Sequence, residues 1–350
     1  MIEIDGSHGE GGGQILRTAI SLSSLTQKPA RITNIRAQRP NPGLSNQHVT
    51  AIKSVSKLCN AGVTGLAKGS REIFFYPNKI KGGKFHFDIL TAGSTTLVLS
   101  ACLLPSLFAN HKTEFTITGG TDVKWSPPID YLRFVFAPLL HKMGGEVNVV
   151  VGRRGHYPKG GGEIIARIKP AKKLLPLTLR EKGALENVKG IAHVSNLPNR
   201  ITNRMKHTAS LLLMGFDDVK ISEEHYPQGK DPACGVGTGI VIWANYENTV
   251  LGTNCLGEKG IPAEMVSQNA VEKLQTEINS NATLDVHAAD QFLPYMALAE
   301  GESVFLTREL SNHAKTNMWL IERFLKVKFD IRKKDGLSEV RVKGVGLEGL

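Results

Sequence analysis

At 350 residues, with 41% hydrophobic and 21% charged side chains, the chain is long enough for one large core plus a second unit, or for a set of repeats. Its 43 Lys and Arg outnumber 32 Asp and Glu, and the +11 surplus is spread along the chain instead of forming a tail, which favours a polyanionic partner such as nucleic acid or a nucleotide. Cys59, Cys102, Cys234 and Cys255 lie far apart without a C-x-x-C pair, so neither a thiolate zinc site nor a disulfide framework is indicated.

Glu3 and Asp5 stand where a secretory leader would need basic and then apolar residues, and the most apolar run, 97–109, contains Pro105 and is too short to span a bilayer. A cytoplasmic protein with no membrane attachment is expected. In chain order, residues 2–5 read as a strand, 6–13 as a glycine-rich turn and 14–25 as a helix whose Ile15, Leu16, Ala19, Ile20 and Leu22 give a broad apolar face. A strand at 30–36 is broken by Pro40, Pro42 and Gly43; Ser45 opens a helix to residue 58, and strands near 62–67 and 71–76 close the unit.

The same order returns: strand 84–89, turn 91–94, a helix through Phe108, strand 113–118, the break Gly119-Gly120, a helix from Pro127-Pro128 to Met143, and strands 146–151 and 163–168. Gly62 and Gly144, like Gly11 and Gly93, are separated by 82 residues, which argues for a duplicated β-α-β-α-β-β unit. A third copy ends the chain, with an opening strand at 175–180, helix 290–299, strand 303–307, helix 313–325 and closing strands 327–331 and 339–342. Between them, strands and helices alternate at 188–194, 200–214, 219–224, 238–246, 250–256 and 263–278. The expected class is α/β (α+β), with 1–183 and 277–350 as a discontinuous domain of three repeats and 184–276 inserted as a smaller α/β domain.

Gly9-Glu10-Gly11-Gly12-Gly13-Gln14 lies between a strand and a helix, where backbone amides and the helix dipole can hold phosphate. It is neither a dinucleotide fingerprint nor a Walker A loop, and a strained turn with no ligand accounts for the glycines equally well. Glu10 is unusual in an anion cradle and makes sense if a divalent cation bridges carboxylate and phosphate. Arg36, Arg39, Gln47 and His48 form a polar cluster suited to phosphate oxygens, or a solvated surface. Pro127 and Pro128 could floor a flat ring or simply start a helix, and 154–163 reads as a glycine-rich hairpin loop.

His313 sits in the first turn of a helix that Ser311 or Asn312 can cap; there the helix dipole and nearby Lys315 disfavour imidazolium. Either a neutral nucleophile or base results, or an ordinary surface histidine beside a cap.

Taken together, Gly9 to Gln14 with Leu16-Arg17, the run 36–43 with Gln47-His48, Gly119 to Asp122 with Pro127-Pro128, the segment 154–163, Asp290-Gln291 with Pro294 and 296–299, and His313 with Thr316-Asn317 resemble the RNA 3′-terminal phosphate cyclase family over nearly the whole chain. The resemblance implies three repeats about a pseudo-threefold axis with a thioredoxin-like insert. It implies an ATP-dependent enzyme acting on RNA with a 3′-phosphate end: His313 takes AMP from ATP, AMP passes to the RNA 3′-phosphate, and the 2′-hydroxyl displaces it to close a 2′,3′-cyclic phosphate.

It further implies that Glu10 binds a magnesium or manganese ion, that Arg17 steadies phosphate, that Asp290 and Gln291 contact the adenosine, and that Pro127 packs on the adenine. Ser100, His287, Ala288 and Ala289 join the nucleotide site, and Arg36, Arg39, Gln47 and His48 the seat of the RNA phosphate. His287 stands where bacterial relatives have tyrosine, and Ser100 where they have glutamine, which alters adenine recognition but not the reaction. A homodimer is compatible with this. Two other readings share the architecture: a cyclase-like binding protein of ribosome assembly, which would lack the histidine, and an enolpyruvyl transferase.

Overall fold

The computed structural model describes residues 1–226 and 233–349, without the side chains of Ala233 and Cys234. The first unit runs β1 (Ile2–Asp5), α1 (Gly13–Thr26), β2 (Ala30–Thr33), α2 (Asn46–Cys59), β3 (Gly62–Thr64) and β4 (Ile73–Tyr76). Its sheet has the order β1-β2-β4-β3, with β1 and β2 parallel and the other pairs antiparallel. Register explains the burial: Ile4 pairs with Ile32, which pairs with Ile73, and Ala30 pairs with Phe75, so the period of two sets all five on the helix-covered face at no more than 2% exposure.

The second unit repeats the plan with β5 (Gly83–Asp88), α3 (Thr95–Ser106), β6 (Thr113–Gly119), a helix, β7 (Glu146–Gly155) and β8 (Gly162–Lys169), in the order β5-β6-β8-β7. The spacing of 82 residues holds at the helix starts, where Gly12 caps α1 and Ser94 caps α3. The expected single helix after Pro128 is α4 (Ile129–Tyr131), a π-helical turn (Leu132–Phe136) and α5 (Ala137–Lys142) in succession.

Between the second and third units come β9 (Leu185–Ser195), α6 (Arg200–Leu212), β10 (Val219–Tyr226), β11 (Ala233–Cys234), β12 (Gly237–Tyr246), β13 (Val250–Leu256) and α7 (Ala263–Asn279). Four of these strands form a separate sheet, β10-β9-β12-β13, over a core of its own that includes Val188, Met205, Ile240, Leu251, Val266 and Leu274.

The third unit has α8 (Val286–Leu298), β14 (Glu300–Thr307), α9 (Asn312–Phe324), β15 (Phe329–Lys334) and β16 (Leu337–Val345), with the sheet order β14-β16-β15. The strand expected at 175–180 does not form. Only a parallel bridge joins Thr178 to Val304, because Pro176 has no amide to donate and the Leu177 amide is taken by Ser303 Oγ at 3.0 Å. The bridge lies beside β14, and the three strands that do form, β14-β16-β15, follow the order β6-β8-β7 of the second unit. One contiguous core, including Leu16, Ile20, Leu99, Leu103, Phe292, Leu320 and Ile321, joins the helices of the three units.

The central unit 185–279 is fastened by three kinds of contact. Phe134 on the π-helical turn stacks on Trp243 at 4.6 Å. The carboxylate of Asp285 accepts from Tyr131 Oη at 2.7 Å and from the Gly252 amide at 3.0 Å. Arg154, fully buried at the end of β7, donates to Asp122 at 3.0 Å, to Asp130 at 2.6 Å and, across the boundary, to Glu224 at 2.6 Å. The hairpin loop expected at 154–163 joins the antiparallel strands β7 and β8, and its first residue is in addition the hub of a buried ion network. Arg154→Met removes the guanidinium shared by three carboxylates, of which Asp130 keeps Arg133, and is expected to lower stability by about 3–5 kcal/mol, measured by urea denaturation of the full chain.

Candidate active site

Ser311 closes the N-terminus of α9: its Oγ accepts from the Ala314 amide at 2.9 Å and donates to the carboxylate of Asp290, whose oxygens lie at 2.7 and 2.8 Å. Asn317 Nδ2 donates to the Asp290 carbonyl at 3.2 Å, so the start of α9 is keyed to α8 at two points. This fixes His313 in the first turn. Its Nδ1 stands 3.0 Å from Glu10 Oε2, and with the N–H donating to the carboxylate the lone pair is left on Nε2.

The glycine turn can approach α9 only without side chains. Gly9 has φ +55°, and a Cβ there would lie 2.3 Å from Thr316 Oγ1. His8 stacks on Trp319 of the same helix with ring centroids 3.7 Å apart. On the other side, Arg39 donates to Glu10 Oε1 at 3.2 Å, so both carboxylate oxygens are engaged.

Behind the turn lies an electropositive floor. A Cβ on Gly13 would fall 2.1 Å from His48 Nε2 and 3.1 Å from an Arg17 nitrogen, so both side chains rest on the first turn of α1. That helix has no side-chain cap and no acid in its first turn, which leaves its amides for an anion. His48 Nδ1 accepts from the Ser45 amide at 3.2 Å, placing the ring proton on Nε2 toward the turn. Burial, then Arg17 and Arg36, push the His48 pKa down to about 3, so the ring is a neutral donor. Arg17 makes no ion pair among the described residues; burial lowers its pKa to about 10, and it stays charged at neutral pH.

The same surroundings hold the His313 pKa below its ordinary value, chiefly through burial, with Arg17 and Arg39 adding to the effect and Glu10 opposing it. The push attributed to Lys315 is supplied by these arginines; Lys315 itself is exposed. Asp290 moves the other way, raised to about 6 by burial against the bond from Ser311.

The structure thus joins Glu10, Arg17, Arg39, His48, Asp290 and His313 in one cluster. The other candidates are placed differently. Arg36 donates to the carbonyls of Asn41 and Gly43, both at 2.8 Å, and holds its own loop. Gln47 accepts from the Ser94 amide at 2.7 Å and ties α2 to the cap of α3. Ser100 is exposed with its hydroxyl on the Thr96 carbonyl, and Thr96 Oγ1 donates to the carbonyl of half-buried Pro127 at 2.8 Å, so these two line a separate edge.

His287 is exposed, edge-on to Tyr131 at 6.3 Å, and Gln291 donates to its carbonyl at 3.2 Å. Ala288 and Ala289 point their methyl groups into the core at 0% and 1% exposure, and the Ala288 amide is taken by the Asp285 cap. Sequence reasoning missed His8, Trp319 and the role of Arg154, because single rings and single arginines carry no periodic signal.

Residues 8–331 match the profile of a family described as RNA 3′-terminal phosphate cyclase. The chain belongs to that family. Among its relatives named RNA 3′-terminal phosphate cyclase, that of Methanopyrus kandleri is 48% identical over 350 residues, covering 98% of this chain and 99% of its own. Those of Methanosarcina barkeri and Nitrosospira multiformis are 47% and 46% identical over 343 residues, each covering 98% of this chain and 100% and 97% of their own. Membership sets aside the enolpyruvyl transferase reading, and the cyclase family's expected mixed α/β architecture is the one observed.

Asp290 gives a test with a definite sign. Its folded pKa of about 6 exceeds its ordinary 3.8, so the stability associated with its protonated form is complete below 3.8 and lost as pH rises through about 6. Asp290→Asn is therefore expected to gain on the wild type in melting temperature by a few degrees between about pH 4 and pH 7, with a constant difference above, as read by calorimetry across pH.

Proposed function

We propose that the chain is an ATP-dependent enzyme that converts an RNA 3′-terminal phosphate into a 2′,3′-cyclic phosphodiester, with His313 Nε2 as nucleophile. The observation that carries this reading is the 3.0 Å contact between Glu10 Oε2 and His313 Nδ1. It fixes one tautomer, aims the free nitrogen away from the carboxylate, and stabilises the positive charge that the ring gains when Nε2 forms a bond. Nε2 attacks the α-phosphorus of ATP as the bond to pyrophosphate breaks. An oxygen of the RNA 3′-phosphate then takes the AMP from Nε2, and the adjacent 2′-hydroxyl attacks the 3′-phosphorus, losing its proton as AMP departs.

The floor formed by Arg17, His48 and the amides of α1 suits the phosphates of the nucleotide. Asp290, Gln291 and His287 on one side and Pro127 and Ser100 on the other would border the adenosine. Of the four residues assigned to the RNA phosphate, Arg39 and His48 face the cradle, while Arg36 and Gln47 hold the backbone behind it. A magnesium or manganese ion fits Glu10 as a single protein ligand, the remaining positions coming from phosphate oxygens and water, provided that the carboxylate gives up Arg39 or His313. Such an ion would offset charge on the triphosphate. Residues 184–276 are read as an inserted domain, consistent with their separate core.

The inactive binding-protein reading is disfavoured because His313 is present, with Glu10 3.0 Å away and Arg17 and His48 on the adjoining turn. Incubation with ATP labelled at the α-phosphate should leave an acid-labile label on the protein, and His313→Ala should cut labelling and RNA cyclisation by at least about a thousandfold. Wild-type protein that takes no label, or a variant that still does, contradicts the assignment.

A further inference from the structure

A second cluster, unused by this chemistry, is buried where β9 of the central unit meets the β7–β8 hairpin and the turn after β6. It comprises Asp122, His156 and His193, at 3%, 4% and 0% exposure, with one potential ligand atom from each lying within 4.8 Å of the others. Among the described residues, neither ring nitrogen of His193 has a hydrogen-bond partner, nor does Asp122 Oδ1. The closest approach between those two residues, His193 Nε2 to Asp122 Oδ1, is 4.0 Å, too long for a hydrogen bond. The rings of His156 and His193 stack at 5.6 Å, and His156 Nε2 lies 3.0 Å from Ser195 Oγ.

A buried polar atom without a partner costs about 1–3 kcal/mol. Of the three such atoms here, His193 Nε2 and Asp122 Oδ1 face each other across 4.0 Å. Among the described residues, Arg154 faces Asp122, Asp130 and Glu224, and Arg133 meets Asp130 at 2.9 Å, so two guanidinium groups answer three carboxylates. Arg154 occupies only Asp122 Oδ2, leaving Oδ1 toward the histidines.

We propose that Asp122, His156 and His193 form a binding site for a divalent transition-metal ion of the zinc type, which fastens the central unit to the second repeat. Two imidazoles and one carboxylate are a zinc donor set and a poor one for magnesium or calcium. Water or the Ser195 hydroxyl completes four-coordination, and Arg154 orients the carboxylate from behind. Tetrahedral ligands at about 2.0–2.2 Å from zinc lie about 3.4 Å apart, so the side chains close by about an ångström on binding. The site is separate from Glu10 and its role is structural, so it stands whether or not the proposed reaction is right.

The test uses the full chain carrying Glu10→Gln and His313→Ala, which removes the candidate catalytic metal ligand. After chelation and dialysis against micromolar zinc, elemental analysis should find about one zinc per chain, and the melting temperature should rise by a few degrees over the metal-free protein. Cobalt(II) in its place should give the intense visible bands of four-coordination. Adding His156→Gln and His193→Gln should reduce retained zinc to about a tenth or less. Absence of retained zinc, equal zinc in the glutamine variant, or only the weak cobalt bands of six-coordination overturns the proposal. Should the glutamine variant fail to fold, the cobalt spectrum of the parent chain decides alone.

Discussion

The contact between Glu10 and His313 depends on parts of the fold that are remote in sequence. A carboxylate from the first loop and an imidazole from the last long helix meet at 3.0 Å only if α1 and α9 pack side by side, which the shared core secures. It also requires that α9 start at one residue. The bond from Ser311 to Asp290 sets that start, and a displacement of one residue would rotate the ring by about 100°. The approach of the turn is in turn set by Gly9, where any side chain would collide with Thr316.

Electrostatics follow from the same packing. Arg17, Arg39 and His48 converge because the turn between β1 and α1 and the start of α2 face each other across glycines. Burial, helped by Arg17 and Arg39, holds the His313 pKa below its ordinary value, and Glu10 opposes that shift. An imidazole beside the Arg17 guanidinium and the uncapped amides of α1 is the arrangement that the proposed reaction on a polyphosphate would need. Far from it, Arg154 performs an unrelated task, drawing three carboxylates and the edge of the central unit together in the dry interior.

Much of this could be read from the sequence, for definite reasons. The order of strands and helices was legible because segments alternate between periods of 2 and 3.6 and two glycine pairs share a spacing of 82 residues, while Glu10 stood out as a carboxylate among glycines. The strand expected at 175–180 failed because propensity does not report that Pro176 lacks a donor and that Ser303 takes the Leu177 amide. Arg36 and Gln47 looked like phosphate ligands but hold backbone, since a sequence does not say which carbonyl or amide lies within reach. Ala288 and Ala289 belong to the buried side of α8, which its apolar spacing alone could have shown.

The central claim is that Glu10 holds one tautomer of His313. Nitrogen NMR of protein labelled at histidine, with the His313 signals assigned by comparison with His313→Ala, tests it directly. The account predicts a protonated Nδ1 and an unprotonated Nε2 at pH 7.5, with the pattern lost in Glu10→Gln. A proton on Nε2, or a spectrum that Glu10→Gln leaves unchanged, would contradict it.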